Sequence, residues 1–469
     1  MNSLSPYQLT RYPIGSLREI WAISWPLMLG LLSSSFMLFA DRLLISRYST
    51  AALNACATAG MATYVVMIIP LVISGISEVF VGRNHGAGKM SEVGKAVWQM
   101  LWLSVGTVPF FLLSAQIFPS LLFSGTGNEE LETIYFRWLV YFAPVFCTTI
   151  ALTGFFIGIG QVTTVTWCAL MGNIVNIVFD ILFIFGYGPV PEMGIKGAAL
   201  ATGLSQIVQT LFLGWIFLHK RYQDLYGTAN SQFELNCFKE SIRIGTPAGL
   251  GRFLELISHF VFFRIVLLSG SENMTIITVV QSIYLLLAFI IEGLSKGVSS
   301  ITANLIGGRQ SDTLIDKVIK SAMTLQCLFS GLLFILLMGF SQSLIAIFFS
   351  EQDVSFLQNS QLSATTQAAL FWMSLFFLFD GLGWIYMGFL TACGDTKFLL
   401  YAGLALNWIS YILPSYLVLG LAKGTASQGW MLIALYAIMT FFTYRWRYKL
   451  NKWKQKIIES ELEQGFAPG

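Results

Sequence analysis

Leu328-Phe-Ser-Gly-Leu-Leu-Phe-Ile-Leu-Leu-Met-Gly-Phe340 runs without a charge and without any alternation of apolar and polar residues. The strands of a membrane barrel alternate over short segments, so this run belongs to a helix. A spanning helix needs about 20 apolar residues to cross about 30 Å of hydrocarbon, and the run with its flanks, 313–350, is long enough. Eleven further stretches have the same character: 20–46, 52–82, 94–124, 131–160, 163–188, 193–220, 241–269, 274–307, 363–392, 396–421 and 425–448. Several exceed the minimum, which implies tilt or extension beyond the lipid. Across all 469 residues, 55% are hydrophobic and 11% are Asp, Glu, Lys or Arg. Soluble proteins carry roughly 25% charged residues, so a large soluble enzyme is excluded. The expectation is an all-α polytopic membrane protein with twelve spans and the lipid bilayer as its main partner.

The charges give the orientation. Of the 27 Lys and Arg residues, 19 fall in the N-terminal segment, the 83–95, 220–243 and 309–320 connections, Lys397 and the tail from Arg445 to Lys456. The opposite loops hold four: Arg42, Arg47, Lys196 and Lys423. Basic loops stay in the cytoplasm, so both termini are expected there, in a multi-pass protein of the cell (inner) membrane. Met1–Glu19 has no cleavable-signal pattern, and the first helix is expected to insert as an uncleaved anchor. A net charge of +3 is too small to point to nucleic acid, and three His and six scattered Cys supply neither a zinc cluster nor a disulfide framework.

The chain repeats itself after about 220 residues. Pro26 is answered by Pro247, and Asn84-His-Gly-Ala-Gly-Lys-Met-Ser91 by Asn304-Leu-Ile-Gly-Gly-Arg-Gln-Ser311. Gly154-Phe-Phe-Ile-Gly-Ile-Gly160 is answered by Gly388-Phe-Leu-Thr-Ala-Cys-Gly394. Asn173 meets Asn407, and Gly186 meets Gly420. Each half holds six spans, an even number, so the halves share one orientation: a parallel repeat about an axis along the membrane normal. The expected organisation is an N-terminal segment (1–19), an N-lobe (20–220), an inter-lobe linker (221–240), a C-lobe (241–448) and a basic tail (449–469). Two such lobes around a central cavity suit an alternating-access carrier, and Pro26 and Pro247 are the candidate bends.

Ionisable residues inside spans are costly and mark function by default. Glu292 and Lys296, at i,i+4, are expected to form an intramembrane ion pair. Arg252 and Glu255 stand at i,i+3, with His259 one turn further on the same face. Asp41, Asp180 and Asp380 have no cation on their own helical face and need a proton, a metal ion or a cationic substrate. Asn173 and Asn176 precede Asp180 at one-turn spacing. Carboxylate and amide oxygens suit a hard cation, and a buried carboxyl can equally hold a proton. Carboxylates in both walls of an aromatic cavity would attract an amphipathic organic cation.

Together these stretches resemble the multidrug and toxic compound extrusion (MATE) transporters, closest to the bacterial NorM and DinF-like branches. The resemblance is carried by Pro26 with Asp41, Asn173-Ile-Val-Asn-Ile-Val-Phe-Asp180, Gly194-Ile-Lys-Gly-Ala-Ala-Leu-Ala-Thr202, Pro247 with Glu255, and Asp380 with Gly388–Thr396. It spans about residues 15–448. It implies a MATE-like fold and efflux of lipophilic, mostly cationic drugs or toxins in exchange for entering H⁺ or Na⁺, with no other cofactor. Asp41, Asn176, Asp180 and Thr202, with Asn173 beside them, match its N-lobe cation site, where Na⁺ would bind. Glu255 and Asp380, with Gln281 and His259 added, form the candidate substrate or second cation site. The chain departs from the NorM pattern at Gly383, at Thr391-Ala392-Cys393 and at Glu292, which takes a position commonly Pro.

The expected protein is thus a secondary antiporter, not an enzyme, working as a monomer on small organic cations. A lipid-linked oligosaccharide flippase shares the architecture but would want a more cationic cavity. A membrane-embedded enzyme would need clustered His, Asp or Glu, or a nucleophile–base pair.

Overall fold

A computed structural model describes residues 7–341, 360–455 and 457. The outer end of the ninth expected span, the loop that follows it and most of the basic tail lie outside the described residues. The N-lobe helices are α1 Leu17–Tyr48, α2 Thr50–Gly86, α3 Met90–Leu122, α4 Glu129–Gly158, α5 Val162–Phe185 and α6 Gly194–Phe217. The C-lobe helices are α7 Leu235–Leu268, α8 Ser271–Gly307, α9 Asp312–Gly339, α10 Ser360–Ala392, α11 Thr396–Leu421 and α12 Ala426–Lys449. Eleven of the twelve are long and apolar enough to cross a membrane. The exception, α7, has the length but carries Lys239, Glu240, Arg243, Arg252, Glu255 and Arg264.

Local chemistry sets the helix ends and breaks. Ser16 and Ser49 cap α1 and α2 through their hydroxyls, and Thr425 with Gln428 forms a capping box on α12. Pro26 has no N–H to give the Ala22 carbonyl, which weakens α1 at mid-length. In α11, Pro414 separates two π-helical stretches, Leu406–Ile412 and Tyr416–Leu421. Such wide turns are uncommon and gather at functional sites.

The repeat is visible in the packing. Within each lobe the first helix packs on the fifth, the second on the fourth, and the fourth on the sixth. Between lobes, α1 packs on α8 and α2 on α7, which are the same contact exchanged by a two-fold axis. In each lobe a threonine hydroxyl ties the fifth helix to a carbonyl of the first, though not at equivalent positions. Thr166 Oγ1 of α5 donates to the Pro26 carbonyl of α1 at 2.6 Å, and Thr396 Oγ1 of α11 donates to the Ile244 carbonyl of α7 at 2.7 Å.

Small residues allow the lobes to meet, as in membrane helix pairs generally. A Cβ added at Gly297 would stand 2.2 Å from Ser24 Oγ, and one at Gly293 2.5 Å from Met28 Cγ. Across the other contact, Gly245 and Gly249 approach Ile73 and Ile69. These contacts lie in the half of the bundle that carries the N-terminal segment, and that end is closed. There Asn304 Nδ2 donates to the Gly158 carbonyl at 2.8 Å, and Asn304 Oδ1 pairs with His85 Nδ1 at 2.8 Å. Ser300 Oγ donates to the Ile157 carbonyl, and Arg83 to the Ala392 carbonyl. Towards the opposite end α1 exposes Phe36, Leu38 and Phe39, and α8 exposes Leu285 and Leu286.

The inter-lobe connection is shorter than 221–240. A short helix, Lys220–Tyr226, leads into a strand of chain held by α3. Trp98 Nε1, Trp102 Nε1 and Gln99 Nε2 donate to the carbonyls of Thr228, Ser231 and Gln232 at 2.8, 2.9 and 3.0 Å.

Candidate functional site

The N-lobe brings together four of the five residues expected at its cation site. Asp41 comes from near the far end of α1, Asn176 and Asp180 from successive turns of α5, and Thr202 from the third turn of α6. Asp180 and Asn176 are fully buried, and Asp41 nearly so. Asn176 Nδ2 lies 3.5 Å from Thr202 Oγ1, which itself donates to the Ala198 carbonyl. The Asp41 and Asp180 carboxyls are neighbours. Among the described residues, Asp41 Oδ1, both Asp180 oxygens and Asn176 Oδ1 have no hydrogen-bond donor. Buried polar atoms are nearly always paired. A knot of acceptors without donors fits a proton or a hard cation. Asn173, one turn further along α5, gives its amide to Ser33 Oγ of α1 at 2.6 Å instead. Cys56 and Tyr135 also border the cluster; both come from other helices than the acids, so no helical spacing marked them.

The second group of charges lines a cavity of about 440 Å³ between the lobes. Its wall includes Tyr64 and Glu78 of α2, Arg252 and Glu255 of α7, Glu292 and Lys296 of α8, Asp380 and Trp384 of α10, and Tyr436 and Tyr444 of α12. Arg252 bonds Glu255 at 2.7 Å, and its guanidinium lies 4.6 Å from the centre of the Trp384 ring. Lys296 and Glu292 pair at 3.3 Å, at the spacing their positions implied. The partner Asp380 lacked on its own helix is Tyr284 of α8, whose hydroxyl donates to Oδ2 at 2.8 Å. Glu78, outside the candidates drawn from sequence, reaches the cavity from the N-lobe with Oε1 unpartnered.

Four of the residues singled out from sequence, Asp41, Asp180, His259 and Gln281, stand outside this cavity wall. The acid that the N-lobe presents there is Glu78; Asp41 and Asp180 are not part of this wall. Both side chains point into the N-lobe, between α1 and α5, because α1 and α5 pack tightly on each other. His259 is not part of the wall: its Nδ1 bonds the Glu255 carbonyl at 2.9 Å and its ring lies against Tyr411. Gln281, several turns from Glu292 along α8, is also outside the wall.

A two-lobed helical bundle with an inter-lobe cavity, closed at one end and holding charges that soluble cores avoid, defines a multi-pass membrane transporter rather than an enzyme. The MatE family model matches residues 26–182 and again 247–417, once in each lobe. The chain belongs to the MatE family of multidrug transporters. Among its relatives is a probable multidrug resistance protein NorM of Pseudomonas putida, 25% identical over 93% of this chain and 96% of the relative. Another, a probable NorM of Thermotoga maritima, is 26% identical over 68% and 69% of the two chains. A multidrug resistance MATE transporter solved in an outward-facing conformation has the same fold, with a TM-score of 0.84 and 19% identity, over 97% of this chain and all of that one.

Proposed function

We propose that the protein is a secondary antiporter. It would export lipophilic, mostly cationic organic compounds through the inter-lobe cavity while H⁺ or Na⁺ enters through the Asp41–Asn176–Asp180–Thr202 cluster. The observation that carries this is the knot of buried, donorless oxygens in the N-lobe, separate from a cavity rich in acids and aromatic rings. The closed end, with its basic connections, faces the cytoplasm, both termini included, and the cavity opens outward. The protein acts as a monomer in the inner membrane.

Because the cluster does not line the cavity, ion and substrate do not compete for the same carboxylates. Coupling instead runs through α1. That helix carries Asp41 at one end, is weakened at Pro26, and lays Ser24 and Met28 on Gly297 and Gly293 of α8. Each of those glycines directly follows a charge of the cavity wall, Glu292 or Lys296, so a bend of α1 on loading the cluster moves substrate-facing charges. Exchange of one monovalent cation for one proton carries no net charge. Its drive is then the ion's concentration gradient, about 1.4 kcal/mol per tenfold. A substrate without net charge would add about 2.3 kcal/mol per 100 mV. Four acids against two bases in the wall, both bases paired, favour a cation carrier over a pyrophosphate-linked lipid flippase.

The test is uptake of a fluorescent organic cation into proteoliposomes under separately imposed H⁺ and Na⁺ gradients. Asp41→Asn and Asp180→Asn should each abolish gradient-driven transport in a folded protein. Normal transport by both variants under both gradients would overturn the reading.

A further inference from the structure

The antiport reading gives no role to the segment that precedes α1, and this inference rests on the alternating access in that reading. Residues 7–16 form no helix, yet they lie across the seam that closes one end of the bundle. The segment joins α1 through Gly15 and Ser16. Gly15 has a φ of 71°, which a side chain would strain, and its turn is fixed from both lobes. Its N–H donates to Glu19 Oε2 of α1 at 2.6 Å, and Ser321 Oγ of α9 donates to its carbonyl at 2.6 Å. A Cβ added at Gly15 would stand 2.7 Å from Lys317 Cβ, so the chain lies directly on α9 of the C-lobe. It then returns to the N-lobe, where a Cβ at Gly160, in the turn between α4 and α5, would stand 2.9 Å from Leu9 Cβ. Finally it reaches the C-lobe again. A Cβ at Gly308, just past α8, would stand 2.8 Å from Tyr7 Cβ and 3.1 Å from the Gly86 carbonyl oxygen of α2. Tyr7, Leu9 and Ile14 pack on one apolar cluster drawn from both lobes, with Ile157 and Val162 on one side and Leu305, Ile306 and Val318 on the other.

We propose that residues 7–16 are a strap that holds the closed end shut and lifts off the C-lobe in each transport cycle, with Tyr7 and Leu9 as its keys. A segment that merely trailed from α1 would pack on its own lobe. This one is woven over both, so the lobes cannot part at this end while Leu9 sits on Gly160 and Tyr7 on Gly308. Parting exposes the apolar faces of Tyr7, Leu9 and Ile14 to water, which favours the shut state. The strap has a shape of its own. Gln8 Nε2 donates to the Tyr12 carbonyl at 3.1 Å, and the Tyr12 N–H donates to Thr10 Oγ1 at 3.2 Å, so it can lift as a unit. It adds to the Asn304 and Ser300 bonds beneath it: those hold α8 to the end of α4, and the strap ties the same two ends together from outside.

Two variants of the full chain test the strap in opposite directions. Tyr7→Ala with Leu9→Ala loosens it. In a Ser300→Cys background, modification of position 300 by a small thiol reagent should then rise about tenfold or more, the effect of freeing two half-buried apolar side chains. Tyr7→Cys with Gly308→Cys pins it, because the two Cβ atoms reach disulfide spacing once the strap gives by about 1 Å. Oxidation of this pair should abolish gradient-driven uptake of a fluorescent organic cation into proteoliposomes, and a reductant should restore it in the same vesicles. The melting temperature in detergent should stay the same or rise, which separates a pinned strap from a damaged fold. The single variants Tyr7→Cys and Gly308→Cys should lose no uptake on oxidation. A pair that does not cross-link, normal uptake with the disulfide formed, or an unchanged modification rate after loosening would overturn the strap. A reduced protein that transports nothing under either gradient would overturn the antiport reading instead, and the modification rate at position 300 would still report on the strap.

Discussion

Replacing Asn304 by alanine should unlock the closed end of the transporter. The Asn304 side chain is fully buried and makes two hydrogen bonds across the lobe interface, to the Gly158 carbonyl and to His85, each 2.8 Å long. Alanine removes both and leaves two buried polar groups of the N-lobe unpaired. Each such group costs about 1–3 kcal/mol. In a state open at that end, water reaches both groups and the cost disappears. The equilibrium should therefore move towards the open state by about 2–6 kcal/mol, which is roughly 30-fold at the lower bound. Ser300 is a suitable reporter, because it is fully buried on the same face of α8 and bonds the Ile157 carbonyl of the other lobe at 2.7 Å. In a Ser300→Cys background, the rate of modification at position 300 by a small thiol reagent, read by peptide mass spectrometry, tracks the open fraction when opening is fast. Adding Asn304→Ala should raise that rate about 30-fold or more. An unchanged rate in a folded protein would refute the assignment of this seam as the lock between lobes.

Two other substitutions test the packing on which that lock depends. Gly297→Leu forces a side chain into the space held by Ser24, and overpacking of this kind costs about 1–3 kcal/mol or more. The melting temperature in detergent and gradient-driven transport should both fall, and normal values for both would show that α1 and α8 need not touch. Arg447 holds Asp395, which is 1% exposed, through bonds of 2.7 and 3.1 Å. Arg447→Ala strands that carboxylate at a cost of about 3–5 kcal/mol. Thermal unfolding should show a large loss, partly recovered when Asp395→Asn is added, and no recovery would mean that Arg447 acts through packing alone.

Helix count, orientation of the repeat and the Glu292–Lys296 pair were legible from sequence because each depends on residues near one another along the chain. Twenty apolar residues make a span whatever surrounds them, and i,i+4 spacing sets two side chains on one face in any helix. The close approach of the lobes also left a local trace, unread until the helices were placed: Gly245-x-x-x-Gly249 in α7 and Gly293-x-x-x-Gly297 in α8 are small residues at one-turn spacing. No such trace marked Tyr284 as the partner of Asp380, since the two are 96 residues apart. Nor did one mark Glu78 as a cavity residue, because near a helix end it reads as an interfacial acid.

The division of the acids was the decision of the tertiary structure alone. Sequence grouped Asp41 with Asp180 in the N-lobe and Glu255 with Asp380 in the C-lobe, which is compatible with carboxylates in both walls of one shared compartment. The packing of α1 on α5 instead turns the first pair into the N-lobe, while α7, α8 and α10 turn the second towards the other lobe. Chain-local patterns determine what a helix is and how deep each residue sits. The direction in which a side chain faces a neighbour depends on how the helices rotate to bury their small residues against one another, and that is settled only when all twelve are in place.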